Sequence, residues 1–171
     1  MIRRATAGDA AAIAAIHVDA WQAGYRGLVP QHFLDSLSVA HRTTGWRQSL
    51  QASSGPPASD VWVAEAAGVV TGWISVGRSR DDDALPSTAE LWAIYISPSH
   101  WRQGQGRLLW STAEAHLRAA GHREVTLWVL RENSRALAFY ATLGFQLEEG
   151  RETTIERGGA ALVEVRLRRG L

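Results

Sequence analysis

The sequence predicts an α/β fold, an α+β mixed sheet of about seven strands with helices on both faces. Two observations carry this. Short runs rich in β-branched and aromatic residues recur along the chain, at Val61–Ala66, Val69–Val76, Glu90–Ile96 and Val125–Leu130. Between and around them lie stretches with apolar residues at three- and four-residue spacing, punctuated by glycine, proline and asparagine. At 171 residues the chain fits one domain, 1–171, large enough to bury a substantial core.

Taken in order, Ile2–Ala5 reads as a first strand. Thr6 or Asp9 then caps a helix through about Ala20, with Ile13, Ile16 and Ala20 inward. Trp21–Pro30 is aromatic and broken by glycine and proline. Gln31–Leu37 and Val39–Leu50 read as helical, with Trp46 expected to be buried, and Ala52–Asp60 is a loop by composition. Val61–Ala66 and Val69–Val76 form a hairpin turning at Ala67-Gly68. The loop Arg78–Thr88 carries Asp81, Asp82 and Asp83, which read as a solvated turn; steering of a cationic amine is the alternative.

Glu90–Ile96 is a strand that stops at Ser97-Pro98, and simple alternation puts Glu90, Trp92, Ile94 and Ile96 on one face. The turn Trp101-Arg102-Gln103-Gly104-Gln105-Gly106 comes next. Its alternate glycines let main chain approach a ligand, and a helix start with unpaired amides is an anion site. The helix spans Gly106–Ala120, with Leu109, Ala113, His116, Leu117 and Ala120 as its apolar stripe. Val125–Leu130 is a central strand covered on both faces. Asn133 or Ser134 caps a helix ending at Gly144, and Phe145–Ile155 with Ala161–Arg168 make a terminal antiparallel pair around Gly158-Gly159.

The glycine turn fits neither common nucleotide motif. Leu109 stands where a dinucleotide fingerprint needs a small residue, and Gly106 is followed by Arg107, not by the Lys-Ser/Thr of a P-loop. The net charge of +1 is too small to argue for nucleic acid. With no cysteine there is no thiol nucleophile, and six scattered histidines show no metal-ligand spacing. No signal-peptide pattern opens the chain and no apolar run approaches ~18 residues, so no membrane role and a cytoplasmic location are expected.

Four ordered pieces resemble the acetyl-coenzyme A core of the GNAT (Gcn5-related N-acetyltransferase) superfamily: the strand ending IYISP, the turn WRQGQG leading into RLLW, the strand VTLWVL, and ENSRALAFYATLGF. The last matches the family's Asn-x-x-Ala-x-x-Phe-Tyr-x-x-x-Gly-Phe pattern position for position. Trp…Tyr-Arg-Gly…Pro over Trp21–Pro30 is similar to a bacterial small-molecule subgroup. The turn departs from the family at Trp101, where Gln or Arg is usual. That weakens a side-chain contact and leaves the main-chain amides in place.

The resemblance implies a GNAT fold, acetyl-CoA as co-substrate, no metal, and direct transfer of acetyl to a primary amine of a small molecule. The family's strand usually carries a bulge near its middle, which would re-aim the later residues of Glu90–Ile96 and free main chain there, so that Ile94, Tyr95 and Ile96 would pair through main chain with the pantetheine. Arg102, Gln103, Gly104, Gln105, Gly106 and Arg107 would cradle the diphosphate. Asn133 and Tyr140 lie seven residues apart, which places them on one helix face about 10 Å apart. Asn133 would then meet the pantetheine while Tyr140, a phenol of ordinary pKa about 10, protonates the departing sulfur. Glu90 is the candidate base, with a structural glutamate bonded to nearby main chain as the alternative. Trp21, Tyr25 and Trp92 would wall the acceptor. A protein N-terminal or lysine acetyltransferase and a non-catalytic acyl-CoA sensor are the other functional readings, and a homodimer is left open.

Overall fold

The computed structural model describes residues 1–51 and 59–171. The loop expected over Ala52–Asp60 falls mostly outside the described residues, and Asp60 already belongs to a strand. The elements are β1 (Ile2–Arg4), α1 (Ala10–Gly24), α2 (Gln31–Asp35), α3 (Val39–Gln51), β2 (Asp60–Ala66), β3 (Val69–Arg78), β4 (Thr88–Ile96), α4 (Gln105–Ala119), β5 (Glu124–Leu130), α5 (Ser134–Thr142), β6 (Gln146–Arg157) and β7 (Ala160–Gly170). Single 3-10 turns precede α1 and follow β4.

Among the described residues seven strands form one sheet in the order β1-β2-β3-β4-β5-β7-β6. Every neighbouring pair is antiparallel except β4 with β5. That exception has its cause in the connection: the long α4 crossover joins β4 to β5, and a crossover of that length is what a parallel pair needs. At two hairpin turns both central residues have positive φ, Ala67-Gly68 and Gly158-Gly159, the backbone that suits a twisted two-residue hairpin.

The sheet is covered on both faces. On one, Leu109, Trp110, Ala113 and Leu117 of α4 bury against Ile74, Val76, Ala89, Leu91, Val125 and Leu127. The stripe expected on this helix therefore holds at Leu109, Ala113 and Leu117. His116 instead bonds Asp60 through Nε2 at 2.8 Å, and Ala120 is exposed. On the other face Ile13 and Ile16 of α1 pack on Val61, Val63 and Trp73. Trp46 is only half-buried, with its ring edge against Trp73 at 4.8 Å, because α3 lies outside α1 and presents no fully buried residue.

α1 runs one turn further than expected. Trp21 is on its last turn and stacks on Tyr25 at 4.6 Å, the i,i+4 geometry of a helix. The α1–α2 segment then meets the β6–β7 hairpin: Val29 and Leu34 pack with Leu130, flanked by Phe33, Ile155 and Leu162.

The acidic loop is a latch, not a solvated turn. Arg166 of β7, its side chain 3% exposed, donates to Asp81 (3.0 Å), Asp83 (2.7 and 2.9 Å) and Glu148 (2.8 and 2.9 Å). Asp81 also accepts from the Trp128 indole at 2.9 Å. Asp82 stands outside these bonds and is exposed.

Arg166→Met removes the buried cation that the three carboxylates share, leaving Asp83 and Glu148 with the more exposed Arg151 and Arg168 and Asp81 with no ion-pair cation among the described residues. It is expected to cost about 3 kcal/mol and to lower the thermal midpoint at pH 7 by roughly 6–12 °C; equal midpoints would contradict the latch. Arg166 holds Glu148 below the ordinary carboxylate range and Asp83 at about 2. Carboxylates depressed in the folded state stabilise above their unfolded pKa, about 4, and lose that contribution as pH falls through the folded value. The gap between wild type and variant should therefore narrow from about pH 4 toward pH 2.

Candidate active site

β4 and β5 pair over one short register only, Thr88↔Glu124, Ala89↔Val125 and Glu90↔Thr126. β4 continues to Ile96 and β5 to Leu130 without meeting again. The strands splay, and a cavity of about 1050 Å³ opens between them. Of the residues the sequence nominated, Glu90, Trp92, Ile94, Tyr95, Ile96, Arg102, Gly104, Gln105, Gly106, Arg107, Asn133, Tyr140, Trp21 and Tyr25 all line it. Gln103 does not; its side-chain amide turns back to the Ser99 carbonyl at 3.1 Å.

A bulge sets the faces of β4. Ser75 of β3 pairs with Ala93 and Val76 with Leu91, so Trp92 is an extra residue without an opposite number. Simple alternation fails there. Ala89, Leu91, Ile94 and Ile96 face α4 and α5, whereas Ala93 and Tyr95 face α1. Tyr95, expected to contribute main chain, therefore also brings its side chain to the α1 side of the cavity.

The turn after β4 is shaped for main-chain donation. Arg102 and Gly104 have φ of 60° and 78°, and Gly104 is the N-cap of α4. The first bond of the helix is Leu108 N–H to the Gly104 carbonyl at 3.1 Å. Among the described residues, the amides from Arg102 through Arg107 have no main-chain or side-chain acceptor. A Cβ on Gly106 would come within 3.0 Å of the Phe139 ring, so glycine lets α4 approach α5. Gln105 is tied at its side chain, where Thr71 donates to it at 2.7 Å. Trp101, the departure from the family turn, donates its indole N–H to the Ile96 carbonyl at 2.7 Å. The Arg135 guanidinium lies 3.9 Å over that ring, so a cation not foreseen from the sequence stands at the turn.

Across the cavity, Asn133 is buried and caps α5 by accepting from the Ala136 amide at 3.1 Å. Its amide nitrogen has no protein acceptor among the described residues. Tyr140 lies two turns on, with its ring between Phe139 and Phe145 at 5.4 and 5.9 Å. Burial raises its pKa well above the ordinary phenol value, which keeps the proton on.

At the far end the aromatic side chains form a connected wall. Trp21 donates to the Tyr95 hydroxyl at 2.9 Å, Tyr25 hydrogen-bonds the same oxygen, and His17 stacks on the Tyr95 ring at 4.9 Å. Burial lowers the His17 pKa to about 3, so its imidazole is neutral. Trp92, by contrast, donates to the Arg78 carbonyl at 3.2 Å and lies under Arg80 at 4.5 Å.

Glu90, offered by the sequence as a base or as a structural glutamate bonded to nearby main chain, is engaged. It is 2% exposed and accepts from the Arg80 amide at 2.9 Å and from Nε at 3.1 Å, with Nη2 on its other oxygen. Arg80 sits ten residues away across the β3–β4 loop, a separation no periodicity reveals. Sequence reasoning also passed over Glu164 and Arg157, which line the cavity from β7 and β6. Glu164 had a signal: a lone carboxylate in the apolar run Leu162-Val163-Glu164-Val165. Among the described residues no group of three or more potential metal ligands gathers, and no helix is long and apolar enough to cross a membrane.

Residues 12–145 match the model of the acetyltransferase (GNAT) family. The uncharacterized N-acetyltransferase YuaI of Bacillus subtilis is 30% identical over 97% of this chain and 90% of its own. The L-amino acid N-acyltransferase MnaT of Escherichia coli is 31% identical over 84% of this chain and 78% of its own. In fold, the chain superposes over its full length with the PaiA N-acetyltransferase of Thermoplasma acidophilum, solved with coenzyme A, at TM-score 0.79 and 20% identity, covering 98% of that chain. With the splayed strands, the amide turn and the Asn133–Tyr140 helix in place, these matches assign the chain: it belongs to the GNAT acetyltransferase family and is an N-acetyltransferase.

Proposed function

We propose that the chain transfers acetyl from acetyl-CoA directly to the primary amine of a small molecule. The observation that carries this reading is that one cavity holds both the unpartnered amides from Arg102 through Arg107 and the Tyr140 side chain. Acetyl-CoA supplies an acyl group activated as a thioester. The residues present suit it: a row of main-chain donors with a helix N-terminus for the diphosphate, and unpaired β4 main chain for the pantetheine amides. Asn133, fixed by its capping bond, offers its amide nitrogen beside that path. Arg102, Arg107 and Arg135 add positive charge at the same end.

Tyr140 is the proton donor. A phenol is protonated at neutral pH and burial raises its pKa further, so the hydroxyl is present to donate as charge builds on the leaving sulfur. Arg80 already occupies both oxygens of Glu90, which argues for a structural role, anchoring Arg80 and the β3–β4 loop, over proton abstraction.

The acceptor end is a roofed pocket of Trp21, Tyr25, Val29, Tyr95, Ile155 and Leu162, with the hairpin turn at Gly158 in contact with Phe33. A roof favours a small molecule over a protein segment, which needs an open groove. Arg157 lines this end, and no carboxylate lies within ion-pair distance of it among the described residues. A guanidinium with no carboxylate partner, held by one bond from Nη1 to the Glu156 carbonyl at 2.8 Å and set beside an aromatic pocket, suits an amine that also carries a carboxylate. The names of two relatives agree: MnaT is an L-amino acid N-acyltransferase, and a Salmonella typhimurium relative is an L-methionine sulfoximine/L-methionine sulfone acetyltransferase.

Free-thiol release from acetyl-CoA against L-amino acids, L-methionine sulfone, spermidine, kanamycin and a lysine peptide tests the reading. Turnover of amino-acid amines is expected. Turnover of the peptide alone would favour a protein acetyltransferase, and binding without any turnover a sensor. Tyr140→Phe is expected to lower kcat by ~10-fold or more while acetyl-CoA affinity, read by calorimetry, holds; an unchanged kcat would remove Tyr140 from the chemistry. Arg157→Gln should raise KM for L-phenylalanine at least several-fold more than for phenethylamine, and equal effects on both would separate Arg157 from carboxylate recognition.

A further inference from the structure

Three carboxylates line the cavity: Asp81, Glu90 and Glu164. Asp81 is held by Arg166 and the Trp128 indole, and Glu90 by Arg80. Glu164 has no hydrogen bond and no ion pair at its carboxylate among the described residues. It is half-buried on β7, in register with Leu130 of β5 and Thr153 of β6, so it stands at the acceptor end. Its neighbours in sequence separate cleanly by face: Val165 enters the core under α4 and α5, while Leu162 packs with the α1–α2 segment.

We propose that Glu164 is the catalytic base, the carboxylate that receives the acceptor's ammonium and takes its proton. The inference rests on the acetyl-transfer reading above and deepens it. The charged and titratable groups around Glu164 come from each neighbouring element: Tyr25 at the end of α1, Arg80 before β4, Glu90 and Tyr95 on β4, and Arg157 on β6. Tyr25 interacts with both Glu164 and Tyr140. Base and acid therefore flank one aromatic wall, Glu164 from β7 and Tyr140 from α5.

The proton balance closes without another reactant. Glu164 takes one proton from the ammonium and passes it to solvent, which frees the nitrogen lone pair. The C–N bond forms as the C–S bond breaks, and Tyr140 gives its proton to the departing sulfur. The nitrogen sheds a second proton, which restores Tyr140. One proton is released overall. Burial raises the Glu164 pKa, against the opposing pull of Arg157 and Arg80, and brings the carboxylate nearer to the strength a base needs at neutral pH. A base works deprotonated, so the rate rises with pH through this raised value and the acidic limb lies above the ordinary glutamate pKa of about 4.3.

The test is the pH profile of kcat/KM from about pH 5 to 10, by free-thiol release from acetyl-CoA with the amines named above, for wild type, Glu164→Gln, Glu164→Asp and Glu90→Gln. Glu164→Gln is expected to lose ~100-fold at about pH 7 and to lose the limb set by the carboxylate, rising instead with the amine's own pKa and approaching wild type near pH 10, where the ammonium deprotonates unaided. Glu164→Asp should keep the limb at reduced rate, and it serves if the Gln variant does not fold. Acetyl-CoA binding should be unchanged in both. Glu90→Gln should keep the limb. A Glu164→Gln profile that retains the limb at the wild-type position, or a loss equal at both ends of the range, overturns the assignment while leaving acetyl transfer standing. A wild-type chain that binds acetyl-CoA and acetylates no amine overturns both.

Discussion

The site depends on β4 and β5 ceasing to pair after Glu90 and Thr126. Two parallel strands inside a sheet ordinarily satisfy each other's main chain along their length. Here they meet over three residues, and the donors and acceptors of β4 beyond that point are left facing a cavity. Unpaired buried main chain is costly unless something else pairs with it. A pantetheine arm, with two amides in an extended chain, is chemically a substitute for the missing strand. The bulge at Trp92 contributes to the same outcome, because it reverses the alternation and sends Tyr95 toward the acceptor while Ile94 and Ile96 remain in the core.

Charge is distributed with the same restraint. Asp9 is matched by Arg3, Glu90 by Arg80, and Asp81 by Arg166. Pairs of this kind hold loops and edges in place, since a buried charge left alone is strongly destabilising. Against that background a carboxylate and a guanidinium outside any ion pair, Glu164 and Arg157, are conspicuous at the proposed acceptor end. The donor end has no comparable acid among the described residues. It carries Arg102, Arg107 and Arg135 around a helix start, as befits a diphosphate.

Much of this was legible in the residues. The seven strands, the α4 crossover, the positive-φ turns and the Asn133 cap each arise from local chemistry, and local chemistry is what a sequence displays. The glycine turn was legible for the same reason, since Gly104 must adopt its backbone and Gly106 must admit Phe139. What escaped was set by partners distant in the chain. Asp81 and Asp83 look solvated until Arg166 arrives from more than eighty residues away. Glu90 reads equally as a base or a structural carboxylate until Arg80 is seen on it, and Trp46 looks like core until α3 is seen to ride outside α1. The face of Trp92 depended on one inserted residue, a bulge that the family resemblance implied but that periodicity alone cannot place.

Grip by main chain does not depend on side-chain identity, and the turn after β4 bears the mark of that freedom. Trp101 replaces the usual polar residue there, yet the row of peptide N–H groups is intact and the indole has found work bracing Ile96. The acceptor end is the opposite case, assembled largely from side chains on α1, β6 and β7. On the proposed reading, exchanging that lining would retune which amine is welcomed, while a coenzyme berth made of main chain stays untouched by the change.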